Sequence, residues 1–196
     1  KLKIAVKSHG SDYTVLLRKN FLYKKLVIPF LEKNVNAWFF LSQDEKKLIE
    51  DNNAVIGKKV HVTANIINPA RSVTSDEFKV KFNLSNNKFN FMFVGRMVKV
   101  KGIFYILQSI PLLTNRESCF FTFVGSGDDF DEAEKIARET GIMNSVQFTG
   151  YIQDEECDHF YANTDALVFP TYDTEGFPMA LFKSVALKDV KKKKKR

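Results

Sequence analysis

Arg96 and Lys101 stand five residues apart in the stretch FMFVGRMVKVKGIFYIL, residues 91–107, and each sits beside a glycine. An apolar run ends at Gly95, and Lys101-Gly102 open a second apolar segment. Arginine offers a planar fork of donors and lysine a compact point charge, so the pair suits a diphosphate. Other polar or glycine-rich groups also follow apolar runs: Gly125-Ser126-Gly127, Gly150-Tyr151, and the segment 171–176 that carries Glu175. Glycine lets the backbone approach a ligand closely. A helix beginning near Pro178 would aim its free N–H groups and its dipole at the same place.

These groups need strands and helices to bring them together. Residues 89–94 read as a strand, and Ile103, Ile106, Leu107, Ile110 and Leu113 recur at helical spacing. A second strand over 119–124 precedes a helix over 131–140, with Gly141 placed as its stop. Strands over 146–148 and 166–169 alternate with helices over 154–161 and from about 178. Strand-helix alternation with continuous apolar strands predicts an α/β fold whose parallel sheet is covered on both faces. Ligands of such sheets bind at the carboxyl ends of the strands, where all four loops would lie side by side. Upstream, strands are expected over 4–8, 35–41 and 59–63, and a helix over 21–30. Ser42 and Glu45 have capping-box spacing for a helix to about residue 51. The polar stretch 71–88 reads as a linker between a partial first domain, 1–70, and a second, 89–187.

Hydrophobic residues make up 44% of the chain and aromatic residues 13%, enough for a packed core. The net charge is +7, yet residues 188–196, KDVKKKKKR, alone carry +6. The body is therefore nearly neutral, which argues against a nucleic-acid partner. The last nine residues read as a basic disordered tail, with a polybasic arm at a membrane or nucleic acid as the alternative. Cys119 and Cys157 are isolated, which fits buried thiols in a reducing compartment. The stretch KLKIAVKSHG lacks a signal-peptide core, and no apolar run reaches membrane-spanning length. A cytoplasmic protein is expected.

Each signal also has a plainer reading. Arg96 and Lys101 alone would be a solvated pair, and Gly125-Ser126-Gly127 alone a turn lacking the third glycine of a dinucleotide fingerprint. Glu175 alone would be a helix-start charge. Tyr151 would be packing, and His61 and His159 structural. Agreement in position among four loops favours a site.

The segments VGRMVKVKG, FVGSGDD, VQFTGYI and DALVFPTYDTEGFPMALFKSVA, in this order and spacing, resemble the donor-binding domain of retaining glycosyltransferases of the GT-B fold, group 1 (family 4) class. The resemblance covers residues 89–187, and its most specific parts are G-R-x4-K-G and P-x4-E-G-F-P. SHGSD, FFLSQDEKKLI and KVHVTANII are similar to the end of the same family's acceptor domain. The resemblance implies a GT-B type fold, with a Rossmann-like donor half preceded by part of a second Rossmann-like domain. It implies sugar transfer from a nucleotide-sugar with retention of anomeric configuration, without a metal, cofactor or protein nucleophile. In that reading Arg96 and Lys101 neutralise the diphosphate, and Glu175 binds the sugar hydroxyls. Backbone around Gly176, Phe177, Pro178 and Met179 touches the sugar and phosphates. Gly150 and Tyr151 lie near the base, Gly95, Gly125 and Gly127 line the donor site, and His9 faces the donor sugar. The implied acceptor is a sugar, lipid-linked or polysaccharide, with peripheral membrane contact open.

Two departures accompany the resemblance. The family's E-x7-E pattern puts its second glutamate at residue 183, where this chain has Lys183. An ammonium has three donors and no acceptor, so it cannot receive ribose hydroxyls, and nucleotide affinity should suffer unless Lys183 turns to a phosphate. The chain also reads as starting inside the first domain and stopping inside the second. A non-catalytic remnant that binds a nucleotide or a partner protein is therefore the rival expectation.

Overall fold

The structure is a computed structural model that describes residues 3–7, 21–51, 59–63, 65, 76–82, 84, 87–172, 175 and 178–194. The chain divides into two compact units. One comprises Lys1–Ile66 with Thr174–Pro178, the other Ile67–Asp173 with Met179–Arg196.

In the first unit, strands β1 (Ala5–Lys7), β2 (Ala37–Phe40) and β3 (Val60–Val62) form a parallel sheet in that order. The strands are shorter than the stretches that predict them, although just beyond their ends the Asn36 amide still donates to the Ile4 carbonyl at 2.8 Å and the Thr63 amide to the Phe40 carbonyl at 2.9 Å. Side chains alternate along β2, so Trp38 and Phe40 share one face, both buried, with rings parallel to within 3°. The helical stretch from residue 21 passes through a π-helical segment, Tyr23–Val27, and continues as α1 (Ile28–Asn34). Pro29 lies inside this continuous helical stretch, since Val27 before it is itself helical at φ −78° and ψ −45°, and its missing N–H removes one helical bond there. The capping pair before α2 (Gln43–Asp51) is formed: the Glu45 amide donates to Ser42 Oγ at 3.1 Å. The Glu45 carboxylate reaches back to the Leu41 amide at 3.0 Å, one residue earlier than the motif requires.

The second unit begins with α3 (Asp76–Lys81) and continues through β4 (Phe89–Val94), α4 (Ile103–Ser109), β5 (Cys119–Val124), α5 (Phe130–Glu139), β6 (Val146–Gly150), α6 (Asp154–Asn163), β7 (Ala166–Leu167) and α7 (Met179–Lys194). The sheet order is β6-β5-β4-β7, and every pair is parallel. All six residues of β5 are buried, which is why CFFTFV is apolar at every position but Thr122. Phe93, Phe121 and Phe123 pack with Ile103, Ile106 and Leu107 of α4 and with Ala133 and Ala137 of α5. Met92, Phe120 and Val124 pack on the opposite face with Phe78, Cys157, Phe160, Tyr161 and Leu187. Helices thus cover both faces. Burying each large side chain here contributes roughly 1.5–3 kcal/mol. Gly141 ends α5 as expected: its φ is 67°, and the following Ile142 amide bonds back to the Ala137 carbonyl at 3.0 Å.

Two expectations are corrected. Residues 71–88 are not simply a linker, because α3 lies within them and Phe78 and Leu84 are buried in the second unit's core. Phe78 and Phe82 are one helical turn apart, and both pack on Phe160. The segment 188–196 is not wholly a disordered tail either, since α7 continues through Lys194. Lysine is a good helix former, and a helix already nucleated at Met179 extends at little cost. Among the described residues, no helix is long and apolar enough to cross a membrane.

Candidate functional site

The strands of the second unit end in register. Val94 pairs with Val124, and Val124 with Gly150, so the loops after β4, β5 and β6 start from one rim. The loop after β4 is pinned on both sides of Arg96. The Gly95 amide donates to the Val124 carbonyl at 3.0 Å, and the Met97 amide to the Ser126 carbonyl at 2.9 Å. The Met97 side chain is fully buried, while Arg96 is exposed. A fixed backbone therefore presents a guanidinium to solvent. The chain then makes a 3-10 turn, Lys99–Lys101, which ends on Gly102 at φ 77°. Lys101 is half-buried at the end of that turn.

The glycines of this rim serve contacts between loops. A Cβ on Gly125 would stand 2.0 Å from the Gly95 carbonyl oxygen, and one on Gly127 would stand 2.6 Å from the Met97 carbonyl oxygen. A Cβ on Gly102 would stand 2.4 Å from the Pro170 carbonyl oxygen. Gly150 has nothing within 4 Å, but its φ of 70° favours glycine, and its carbonyl accepts the Gly125 amide at 2.9 Å. The loop after β7 joins from the other side: the Tyr172 amide and Thr171 Oγ1 both donate to the Val100 carbonyl, at 3.1 and 3.3 Å. The segment with Arg96 and Lys101 is thus held between its two neighbours. The sequence places four loops at one rim but not these interloop contacts.

Other expected site residues are distributed differently. Glu175, half-buried, and Pro178 group with the first unit, whereas Arg96 and Lys101 belong to the second. His9, Gly176 and Phe177 lie outside the described residues. Tyr151 is 76% exposed beyond β6, and Met179 begins α7. His61 stacks on Phe39 and His159 on Phe78, in keeping with structural roles.

Lys183 is engaged with α6. Its ammonium lies 3.3 Å from Asp154 Oδ1 and 3.3 Å from Asp158 Oδ1. Burial works against its charge, but the Asp158 and Asp154 carboxylates outweigh that and hold its pKa above the ordinary lysine value. The neighbouring Cys157 thiol is pushed up to about 11, chiefly by burial. Burial also raises the Tyr161 phenol. Asp129, Asp154 and Asp158 are polar residues that sequence reasoning passed over: Asp129 and Asp154 stand at helix starts, where an acid is unremarkable, and Asp158 lies a turn further into α6. Among the described residues, no three His, Cys, Asp or Glu side chains group as a metal-binding cluster.

An α/β chain with two parallel sheets, the second presenting cationic and glycine-rich loops at its carboxyl rim, has a fold of the GT-B type. The crystal structure of Anabaena HepE with UDP-glucose superimposes with a TM-score of 0.75 at 14% identity, covering 94% of this chain and 51% of that one. Residues 74–188 match the glycosyl transferases group 1 family, and the chain belongs to it. Two uncharacterised glycosyltransferases of Methanocaldococcus jannaschii are among its relatives. One is 28% identical over 119 residues, covering 58% of this chain and 30% of its own length. The other is 25% identical over 195 residues, covering 94% and 48%. The chain spans less than half the length of either relative.

Proposed function

We propose that the protein takes part in transferring a sugar from a nucleotide-sugar donor to an acceptor, with Arg96 and Lys101 gripping the donor's diphosphate. The single observation that carries the reading is the pinned loop: Arg96 projects from a backbone fixed at Gly95 and Met97, and Lys101 ends the turn that follows. Cations held in place before the ligand arrives stabilise charge that develops on the leaving diphosphate, and they need no reorganisation to do so. Family membership and the likeness to a fold crystallised with UDP-glucose support it. Transfer is of a hexosyl unit with retained configuration. No metal is required, because Arg96, Lys101 and the amino end of α7 supply the positive charge. Glu175 binds the donor sugar, and the acceptor is a sugar in lipid-linked or polysaccharide form, met in the cytoplasm. Tyr151, exposed beyond β6, is available to the base.

A second reading has its own observation. Lys183 stands where the family pattern calls for a carboxylate, and it is committed to Asp154 and Asp158. In that reading the chain binds nucleotide without transferring sugar. A panel of UDP-, GDP- and ADP-sugars, assayed for nucleotide release and for thermal shift, separates the two. Release of nucleotide that disappears with Arg96→Ala supports transfer. A thermal shift without release supports the binding remnant. No shift and no release with any of the three sinks both.

A further inference from the structure

We infer that Asp129 is a positioning residue: its carboxylate holds the Arg96–Lys101 loop in the shape that presents both cations to a diphosphate. The inference rests on the phosphate-gripping role proposed above.

Asp129 occupies the N-cap position of α5, where an aspartate ordinarily accepts the first free amides of its own helix. It makes no such capping bond. Its Oδ2 instead accepts the Lys99 amide at 2.6 Å, thirty residues upstream. Its own amide donates to the Met97 carbonyl at 3.0 Å. One residue thus grips the loop on both sides of Val98, between Arg96 and Lys101.

The chemistry of the loop explains why a carboxylate is used. Lys99 is the first residue of the 3-10 turn, so its amide has no partner within the turn. The loop also carries three cations within six residues, Arg96, Lys99 and Lys101, which repel one another. An anion bonded to the first amide of the turn satisfies that amide and offsets the repulsion. A carboxylate facing the ligand would oppose a diphosphate, so Asp129 acts through the loop and makes no ligand contact itself. Gly127 permits the approach, since any side chain there would strike Met97. Ordering such a loop only when the ligand arrives would subtract from affinity.

The test is calorimetric titration of UDP, GDP and ADP into the wild-type chain and variants, each shown to be folded by urea denaturation. Asp129→Ala weakens the best-bound nucleotide by about tenfold. Asp129→Asn recovers part of that, because its amide oxygen still accepts the Lys99 N–H but carries no charge to offset the three cations. Lys99→Pro supplies an independent arm should Asp129→Ala fail to fold. It deletes the donor N–H at a first-turn position that tolerates proline, after a residue already extended at φ −135° and ψ 147°. Lys99→Pro is expected to bind about tenfold more weakly than Lys99→Ala, which removes only the charge. Wild-type affinity in folded Asp129→Ala, or equal affinity in Lys99→Pro and Lys99→Ala, overturns the positioning role and leaves the phosphate reading standing. No binding of any nucleotide by the wild type overturns both.

Discussion

The Lys183 ammonium sits 3.3 Å from Oδ1 of Asp158, a carboxylate whose side chain is only 9% exposed. The pair links α7 to α6, and the exposed Asp154 adds a second carboxylate to the same ammonium. Removing one partner of a buried pair leaves the other charged and uncompensated. Lys183→Met should therefore cost about 3 kcal/mol of stability. Lys183→Glu restores the family's E-x7-E spacing but sets a third carboxylate beside two others, and should cost at least as much. A gain in nucleotide affinity from that change, expected when the sequence is read alone, therefore depends on relieving Asp158. Lys183→Glu with Asp158→Lys should recover part of the loss. Urea midpoints indistinguishable among these variants would show that the ion cluster does not hold the helices.

Gly125 and Gly141 both have positive φ, 133° and 67°, yet they predict losses of different size. Alanine at Gly141 meets nothing within 4 Å, so it should cost only the left-handed backbone penalty, about 1 kcal/mol. Alanine at Gly125 meets the Gly95 backbone at 2.0 Å and must push the loops apart. A loss of roughly 3 kcal/mol or more is expected there, with nucleotide affinity falling as Arg96 shifts. Thermal melts of both variants check this, and equal melting temperatures would contradict the interloop contact.

Alkaline pH should loosen the α6–α7 region. The Cys157 thiol is raised from 9.0 to about 11: burial raises it, Lys183 opposes, and Asp158 and Asp154 add to the rise. Because the folded value lies above the unfolded one, the unfolded chain releases its proton first as pH climbs. This contribution to stability is intact below the unfolded value and is lost as pH rises through the folded value, a change on the order of 2–3 kcal/mol. The Lys183 ammonium, also raised, changes stability in the same direction above 10.5. Urea unfolding at about pH 8 and about pH 10.5 should show the decline, and Cys157→Ala should make it shallower. A stability that is flat over this range would contradict the buried thiol's role.

The sheet and its rim were legible because β4 and β5 are short, mostly apolar stretches that each end at a glycine, and packing on both faces leaves that imprint. Arg96 and Lys101 stood out because cations interrupt such runs only where the chain reaches water. α3 was hidden, since its packing rests on Phe78 and Phe82 inside a polar stretch too short to show a period. The partners of Lys183 lie 25 and 29 residues away, and local spacing carries no signal for them. Asp129 read only as part of FVGSGDD, ahead of the helix expected from residue 131, and only the structure shows its carboxylate turned to Lys99. The glycines were noticed, but their reason was not, because a neighbouring loop's carbonyl leaves no trace in sequence.

The most direct test is a titration of UDP, GDP and ADP into the wild-type chain, Arg96→Ala and Lys101→Ala, with folding of each verified. The phosphate role predicts that at least one nucleotide binds the wild type. It also predicts that each substitution weakens that binding by about tenfold or more, as expected for a lost charge-assisted contact. Nucleotide bound with unchanged affinity by both variants would contradict it.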